Sequence, residues 1–480
     1  MSAAVWFPYR VPRPGAALRL FCFPPAGRGA SAYRGWQDRL PGCVEVWPVQ
    51  LPGREARIGE PAFDRIDPLV EAVAAAVGPH LDRPYAVFGH SLGAVVGFEV
   101  ARRLRQLAGK EPAHLFVCGY NAPGSPRLIP SVANLSAPDF KAALRRIGGT
   151  PEAVLADDEV MEVMAPLLRA DFGVCETYVY RPGPPLGGPV TAYAGADDEF
   201  VTWHGLDGWR AETTGRFQVR LAPGGHFLPQ TDPAAVTARL AADLAAPPEA
   251  APPRLADGEV QVWRVDLAQP AEVVGRLAVT LSADERDRAA RFVRDRDRVG
   301  YVVARGAARS VLGRYAGVPA SDCRFGYGPH GKPHLTHPAG TGLEFNLSHS
   351  DGLGLLAVAR GRAVGVDVEA VRADVDVSGV AGTAFSAAER AALAARPAAG
   401  RVAAFYELWT RKEAVLKCAG VGLGGADPTA VTVPPRGSPP APGGPSVATV
   451  WPAAGYVGAV AVSGGYSWLH CAIWRPGESL

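Results

Sequence analysis

A proline-rich stretch near the middle of the chain most constrains the fold, because it divides the sequence into two regions with separate cores. Residues 245–257 read AAPPEAAPPRLAD, with four prolines and few side chains worth burying. Segments of this kind act as semi-rigid spacers, and 480 residues suffice for two or three domains. We therefore predict two domains, at residues 1–246 and 258–480, joined by a linker at 247–257.

Composition and charge favour an ordinary globular protein over a nucleic-acid or membrane-binding one. Hydrophobic residues make up 48% of the chain and charged residues 20%, and a net charge of +2 is too small for binding nucleic acid or a membrane through the whole chain. The seven cysteines are scattered without CxxC spacing, which favours reduced thiols. The start of the chain has no apolar core of signal-peptide length, and no apolar run reaches transmembrane length. We expect a cytoplasmic protein.

Strand-like segments alternate with helical stretches through the first domain. Six short β-rich runs stand out, ALRLFCF, VEVWPVQL, YAVFGH, HLFVCGY, PVTAYAG and FQVRLAP. This order predicts a mostly parallel sheet with helices on both faces, an α/β architecture. Residues 134–180 are polar, helix-patterned and long enough to be an insertion, for which we predict a lid.

The segment YAVFGHSLGAVVGFEVARRL places Ser91 in a GxSxG turn between an apolar strand and an amphipathic helix. Such a turn exposes the serine hydroxyl, and the N–H of Leu92 can stabilise an oxyanion. A serine nucleophile also needs a base and an orienting acid. Asp197 and Asp198 follow one later strand and His226 follows the next. This order predicts a serine hydrolase, in which either aspartate can be the acid; a tight turn with an idle serine would leave the GGH sequence unexplained.

Five motifs of this domain together resemble the type II thioesterases of polyketide and nonribosomal peptide assembly lines: LFCFPPAGRGA, VQLPGREAR, FGHSLGA, AGADDEF and APGGHF. The resemblance covers about residues 4–246. It implies an α/β-hydrolase with a helical lid that removes stalled or wrong acyl groups from the phosphopantetheine arms of carrier proteins. It also implies Ser91 as nucleophile, His226 as base and Asp198 as the orienting acid, although Asp197 stays open.

The same resemblance implies an oxyanion hole made of the backbone amides of Leu92 and Ala26. The family more often has an aromatic residue or histidine at position 25 and glycine at 28, where this chain has Pro25 and Arg28. Proline has no N–H, so the second donor must be Ala26. Losing one such donor typically costs ~10²–10³ in rate, which makes this loop decisive for activity.

Two carboxylates two residues apart in the sequence GVDVE indicate a second site. Asp367 and Glu369 would share one face of a strand, either because that face is solvated or because both hold a cation. In FYELWTRKEAVLK, Glu413 and Lys417 share a helix face with Trp409, as an ordinary ion pair or as part of the same site. Three carboxylates together with phosphate oxygens suit Mg²⁺.

The surroundings of these carboxylates also favour a polyphosphate substrate. Residues 282–316 are rich in arginine and helix-patterned, and EFNLSHS, GLLAVAR and AVGVDVE predict a three-stranded antiparallel meander. HGKPHL places Lys332 on a turn, and FNLSHS ends a strand with Ser348 and His349.

GKP, FNLSHS, GVDVE, FSAAER and WTRKEAVLK, in this order, resemble the surfactin-synthetase-activating type of 4′-phosphopantetheinyl transferase. The resemblance runs from about residue 258 to the end and implies a pseudo-symmetric α+β fold of two similar halves. It implies transfer of the phosphopantetheine arm from coenzyme A to a carrier-protein serine, with release of 3′,5′-ADP. Asp367, Glu369 and Glu413 would hold Mg²⁺ on the pyrophosphate, with Glu413 as a possible general base.

The resemblance also implies a set of residues that bind the phosphates of coenzyme A. An arginine usually precedes the aromatic residue that is Tyr301 here, but this chain has Gly300, so either Arg298 or Arg305 must make that contact or it is lost. The remaining phosphate-binding positions are Lys332, Ser348, His349 and Lys417.

The sequence thus predicts a fusion of an editing thioesterase with a transferase that activates carrier proteins, acting on acyl and peptidyl carrier proteins without nucleic-acid or membrane partners. Two alternatives for the first domain are a general esterase or acyltransferase, and a degenerate carrier-binding module. The QLPGREAR sequence disfavours the first, and the intact candidate residues disfavour the second.

Overall fold

The computed structural model describes residues 3–245, 255–425 and 427–477, which form two compact units. The boundary between the units falls between residues 246 and 247. Residues 247–254 of the predicted linker lie outside the described residues. Within the described ranges, every helix is too short or too polar to span a membrane.

The first unit is built on six strands in the order β2-β1-β3-β4-β5-β6. The pairs β1–β2, β1–β3, β3–β4 and β4–β5 are all parallel, and these strands are almost wholly buried, as expected for a parallel sheet covered by helices. The predicted α/β architecture is confirmed. The strands are β1 (Leu18–Phe23), β2 (Val44–Pro48), β3 (Tyr85–His90), β4 (His114–Cys118), β5 (Val190–Gly195) and β6 (Phe217–Ala222).

The longer helices of this unit lie in the connections between the strands and after the last one. The predicted insertion between β4 and β5 is helical, and its helices have an apolar cluster of their own that includes Phe140, Leu155 and Phe172. The helices are α1 (Ile66–Val77), α2 (Leu92–Ala108), the insertion helices α3 (Ala137–Ile147), α4 (Glu152–Leu155) and α5 (Asp158–Thr177), and α6 (Pro233–Ala245).

The second unit contains the same arrangement twice, a strand followed by three helices and a two-stranded hairpin. In each repeat the last strand is central and pairs antiparallel with both others, which gives the orders β10-β11-β7 and β13-β14-β12. The first repeat contains β7 (Glu259–Asp266), α7 (Ala271–Thr280), α8 (Ala283–Ala290), α9 (Asp295–Ala316), β10 (Leu343–Ser350) and β11 (Leu353–Arg360). The second contains β12 (Val364–Ala370), α10 (Val377–Ala384), α11 (Ala387–Ala394), α12 (Ala398–Ala419), β13 (Ser446–Val450) and β14 (Tyr456–Val462).

Two further elements complete this unit. A small hairpin of β8 (Arg324–Tyr327) and β9 (Pro333–His337) interrupts the first repeat, and β15 (Trp468–Ile473) pairs parallel with β7.

The repeats share buried detail as well as topology. Helices α8 and α11 both start with a Ser-x-x-Glu capping box, in which the serine and glutamate satisfy backbone N–H groups at the helix start. Both glutamates are also paired with a cation from the long helix of the same repeat, Glu285 with Arg309 at 2.7 Å and Glu389 with Lys412 at 2.8 Å. The pseudo-symmetry implied by the sequence resemblance is therefore present in the fold.

The predicted meander is wrong in its third strand. Strands β10 and β11 pair as expected, but β12 pairs with β14 in a separate sheet. The segment FNLSHS explains the difference, because its alternate side chains are polar and accept hydrogen bonds from the backbone of β12. These bonds take the place of backbone-to-backbone hydrogen bonds between the two strands. Asn346 Oδ1 accepts a hydrogen bond from the Val366 N–H at 2.8 Å, and Ser350 Oγ accepts one from the Ala370 N–H at 3.2 Å.

Candidate active sites

Ser91 lies in the sharp turn between β3 and α2. Its backbone has φ +53°, a conformation that side-chain-bearing residues rarely adopt. The turn also brings backbone groups very close together. A Cβ on Gly89 would lie 2.2 Å from the carbonyl oxygen of Gly93, and one on Gly93 would lie 2.1 Å from that of Phe23. Only glycine fits at these two positions, which explains the spacing of the GxSxG sequence.

A hydrogen-bonded chain links Ser91 to a histidine and an aspartate. His226 Nε2 lies 3.0 Å from Ser91 Oγ, and His226 Nδ1 lies 2.8 Å from Asp198 Oδ2. The other oxygen of Asp198 accepts the Phe200 N–H at 2.9 Å. All three members of this chain are buried. The structure thus brings Asp198, and not its neighbour Asp197, to the histidine.

A second histidine, His90, contacts the backbone of His226. His90 is fully buried, and its Nε2 donates to the carbonyl oxygen of His226 at 2.8 Å. Burial, together with the nearby His226, lowers the pKa of His90 to about 3. His90 therefore stays neutral at physiological pH and can act as a fixed donor to the His226 backbone.

A cleft opens beside Ser91 between the sheet and the insertion helices. Ala26 and Arg28 line it from the loop after β1, and Arg28 Nη2 donates to the carbonyl oxygen of Gly149 at 2.9 Å. Leu92 is buried as the first residue of α2. The insertion lines the same cleft as Ser91 through apolar side chains that include Leu144, Ile147, Val154, Met164, Leu168 and Phe172.

Asp367 is the most buried carboxylate of the second site. One of its oxygens accepts hydrogen bonds from Ser348 Oγ at 2.8 Å and from Lys417 Nζ at 2.6 Å. The other oxygen, Oδ2, is buried without a hydrogen-bond partner among the described residues. An unpaired buried carboxylate oxygen is costly unless a ligand or cation satisfies it.

Glu369 and Glu413 lie close enough to Asp367 to feel its charge. Burial raises the pKa of Glu413; Lys417, 3.5 Å away, opposes the shift, and Asp367 and Glu369 add to it. Burial also raises the pKa of Glu369, which accepts a hydrogen bond from Ser350 Oγ at 2.7 Å. Among the described residues, no group of three or more His, Cys, Asp or Glu side chains is arranged so that it could hold a metal ion. The Lys417 ammonium pairs with Asp367 instead.

Comparison with known proteins assigns each unit to a family. A family model described as a thioesterase domain matches residues 18–243. Models of the N-terminal part of 4′-phosphopantetheinyl transferases and of their superfamily match residues 269–360 and 363–441. The relatives described next are at least 40% identical, and the chain covers more than two thirds of each. This chain belongs to both families. We refer to its two parts as the thioesterase unit and the transferase unit.

The thioesterase unit is similar to the gramicidin S biosynthesis protein GrsT of Aneurinibacillus migulanus, at 43% identity over 46% of this chain and 87% of the relative. It is also similar to the thioesterase PikA5 of Streptomyces venezuelae, at 40% identity over 47% of this chain and 81% of the relative. The transferase unit is similar to the 4′-phosphopantetheinyl transferase HetI of Nostoc sp., at 41% identity over 36% of this chain and 74% of the relative. The two families predicted from the sequence are confirmed.

The predicted phosphate-binding residues of the transferase unit differ in their exposure and in the contacts that they already make. His349 is exposed beside Ser348 on β10. Lys332 Nζ donates to two backbone carbonyls, Val364 O at 2.9 Å and Cys418 O at 3.3 Å, so its ammonium joins the start of β12 to the end of α12. Its role in binding coenzyme A stays a prediction.

The two candidate arginines, Arg298 and Arg305, differ in their burial and in their partners. Arg305 is buried, paired with Glu285 at 3.2 Å and bonded to Tyr327 Oη at 2.5 Å. Arg298 is exposed on the first turn of α9, with Asp295 as its partner. Because Arg305 already serves a buried ion pair, these contacts favour Arg298 as the residue that can turn toward a ligand.

Sequence reasoning missed a buried ion pair next to the cleft of the thioesterase unit. Arg54, from the PGRE sequence, makes two parallel hydrogen bonds to Asp171 on α5, at 2.7 and 2.8 Å. The arginine belongs to the VQLPGREAR motif of the thioesterase resemblance. Its partner lies 117 residues away on an insertion helix, and no local pattern marks that aspartate.

Proposed function

We propose that this chain attaches the 4′-phosphopantetheine arm to carrier proteins of nonribosomal peptide or polyketide biosynthesis and removes unproductive acyl groups from that arm. One observation carries the proposal: a Ser–His–Asp hydrogen-bonded chain and a buried carboxylate cluster occur on the two units of one polypeptide. By its name, the relative GrsT takes part in gramicidin S biosynthesis. By its name, the relative PikA5 is a thioesterase. One unit would install the thiol arm that the other keeps clear.

In the hydrolytic half, Ser91 Oγ would attack the thioester carbonyl while His226 Nε2 takes the hydroxyl proton. Asp198 would hold the Nδ1–H and stabilise the imidazolium. The oxygen of the tetrahedral intermediate would be bound by the N–H groups of Leu92 and Ala26. His226 returns the proton to the leaving pantetheine sulfur, and a water molecule activated by His226 then cleaves the acyl–serine ester, restoring Ser91.

In the transferase half, three carboxylates would hold Mg²⁺: Asp367, Glu369 and Glu413. The unsatisfied Oδ2 of Asp367 fits a site that takes up a hard cation, and so do the burial and the neighbouring carboxylates that raise the pKa of Glu413. When bound, Mg²⁺ supplies positive charge to the pyrophosphate of coenzyme A. The residues proposed to bind coenzyme A are Lys332, Ser348, His349, Lys417 and either Arg298 or Arg305.

Glu413 would act as the general base toward the carrier-protein serine. Its carboxylate belongs to the same cluster as Asp367 and Glu369, so it would lie beside the pyrophosphate that the serine attacks. The serine oxygen attacks the β-phosphorus of coenzyme A and its proton passes to Glu413. The bond to the bridging oxygen breaks, and 3′,5′-ADP leaves.

We further infer domain limits of 1–246 and 258–480 with a linker at 247–257, and carrier proteins and coenzyme A as partners, with no role for nucleic acid or a membrane. All seven cysteines lie among the described residues and none forms a disulfide, which supports a reducing, cytoplasmic setting.

The test uses an apo carrier protein, coenzyme A and Mg²⁺, with the carrier mass as readout. We expect a mass gain of one phosphopantetheine arm, and loss of the acyl group when an acylated carrier is supplied. Ser91→Ala and Glu413→Gln serve as matched controls that should each remove one activity. Turnover of simple esters in preference to acyl-carrier protein would support a general esterase and refute the editing role.

A further inference from the structure

We propose that Asp171 is a positioning residue for thioester hydrolysis, which acts by locking the oxyanion loop to a lid helix. The oxyanion loop is defined here as residues 24–29, between β1 and the next short helix. The inference rests on the proposed hydrolytic function and assigns a role to the PGRE sequence, which the catalytic residues leave unexplained.

The oxyanion loop makes its critical turn around Ala26. The Arg28 N–H donates to the carbonyl oxygen of Pro25 at 3.1 Å, and Gly27 has φ +72°. This hydrogen bond and the left-handed third residue are features of a type II β-turn. Type I and type II turns differ by a flip of the central peptide, here the one between Ala26 and Gly27. That peptide starts at the Cα of Ala26, so its orientation fixes ψ of the residue whose own N–H, in the preceding peptide, is the second oxyanion donor.

Asp171 holds this central peptide directly. Its Oδ2 accepts the Gly27 N–H at 2.7 Å and also a hydrogen bond from Arg54 Nη1 at 2.7 Å. A flip of the peptide would point its carbonyl oxygen toward the carboxylate, which is strongly unfavourable. The carboxylate therefore favours one of the two turn geometries.

Arg54 ties the same carboxylate to the rest of the loop. Its Nη2 bonds Asp171 Oδ1 at 2.8 Å, and its Nη1 also reaches the carbonyl oxygen of Arg28 at 3.3 Å. Both partners are almost fully buried, with 4% and 2% of the residue exposed for Arg54 and Asp171. A bidentate pair in such a setting has a fixed geometry.

The lid helix packs directly on the turn. A Cβ at position 27 would lie 2.5 Å from Leu168 Cδ2 on α5, the helix that carries Asp171. Leu168 and Ala26 line the same cleft as Ser91. One carboxylate thus ties α5 to the turn whose first central residue, Ala26, supplies the oxyanion donor.

The experiment separates this role from simple stabilisation by replacing both charges at once in the full-length protein. A buried ion pair replaced by apolar residues of similar size is often neutral for stability. The double variant Arg54→Met/Asp171→Leu should therefore stay folded, yet the Gly27 N–H loses its acceptor. We expect kcat for acyl-carrier hydrolysis to fall by ~10²-fold, as for loss of one oxyanion donor, with KM little changed.

Asp243 provides a matched control in the same unit. It forms a bidentate buried pair with Arg220, at 2.7 and 3.0 Å, and does not line the cleft. Asp243→Asn should lower thermal stability but leave kcat unchanged. Asp171→Asn, which keeps the side-chain shape, should lower kcat in the same direction as the double variant and tests the proposal if the double variant does not fold.

A boronic acid probe makes the result independent of the natural substrate. Hexylboronic acid forms a tetrahedral adduct with an active serine, so its affinity reports the oxyanion hole. We expect weaker binding to both Asp171 variants and unchanged binding to Asp243→Asn. A folded double variant with wild-type kcat and boronate affinity would overturn the proposal. A wild-type protein that binds the boronate but cleaves no acyl-carrier thioester would instead refute the proposed function.

Discussion

Replacing Asp198 by asparagine should nearly abolish thioester hydrolysis, for a reason that the hydrogen bonds define. Asp198 Oδ1 accepts the Phe200 N–H at 2.9 Å, so this position must remain an acceptor in the variant. The amide oxygen of asparagine will therefore occupy it, and the amide nitrogen will face His226 Nδ1, where Oδ2 lay at 2.8 Å. An NH₂ group donates, so Nδ1 must become an acceptor and the ring proton moves to Nε2.

A histidine protonated at Nε2 cannot accept the proton of Ser91. The same tautomer change in a serine protease lowers kcat by ~10⁴, which corresponds to about 5 kcal/mol of transition-state stabilisation. We expect a loss of this order in the hydrolysis of an acylated carrier protein, followed by mass spectrometry of the carrier. Phosphopantetheinyl transfer by the same sample should be unchanged and shows that the protein is folded.

Asp197→Asn is the matched control, since it makes the same chemical change one residue away. Asp197 is half-buried, and its backbone N–H donates to the Gly224 carbonyl oxygen at 2.8 Å, a bond that asparagine preserves. Hydrolysis should stay near the wild-type rate. A severe loss in Asp197→Asn together with a mild one in Asp198→Asn would refute the assignment of the acid.

Three further predictions concern the other groups. Chelation of Mg²⁺ should stop phosphopantetheinyl transfer, read as carrier mass, and leave hydrolysis unchanged; loss of both activities would contradict the serine-hydrolase mechanism. Glu413→Gln should lower transfer by orders of magnitude with hydrolysis intact, because it removes the proposed base. Lys412→Met should lower the free energy of unfolding of the transferase unit by about 3–5 kcal/mol, since it leaves the buried Glu389 carboxylate unpaired; an unchanged denaturation midpoint would show that the pair contributes nothing.

Features that depend on short-range pattern could be predicted from the sequence. The strand before Ser91, the turn and the helix after it are contiguous, and the glycines are required by contacts within the turn and with the neighbouring strand. Asp198 and His226 follow successive strands β5 and β6, and loops that follow neighbouring strands of such a sheet meet at one edge. The order of motifs was therefore enough to bring the hydrolytic residues together.

Features that depend on contacts between residues far apart in the sequence could not be predicted. The turn between β11 and β12 looks like one that joins paired strands, yet the side chains of Asn346 and Ser350 bond β12 and leave its backbone to β14. The role of Lys417 in binding phosphate stays a prediction, but the sequence did not indicate its contact with Asp367, 50 residues away, at 2.6 Å. Neither outcome has a local signal.

The transferase unit shows why its fold is symmetric and its site is not. Both repeats keep a capping-box glutamate paired with a cation from the long helix, Glu285 with Arg309 and Glu389 with Lys412, so this pair belongs to the shared framework. The carboxylate site instead combines the two repeats. Ser348 and Ser350 come from the hairpin of the first repeat, and the carboxylates they bond come from the first strand of the second.

The first strand of the other repeat, β7, reads EVQVWRVD and has no carboxylate at its inner positions. A polar FNLSHS strand in one repeat and a GVDVE strand in the other are therefore complementary halves of one site. The serines satisfy part of each carboxylate, and Oδ2 of Asp367 is left without a hydrogen-bond partner among the described residues. Neither repeat can form the site by itself, since each lacks the side chains that the other contributes.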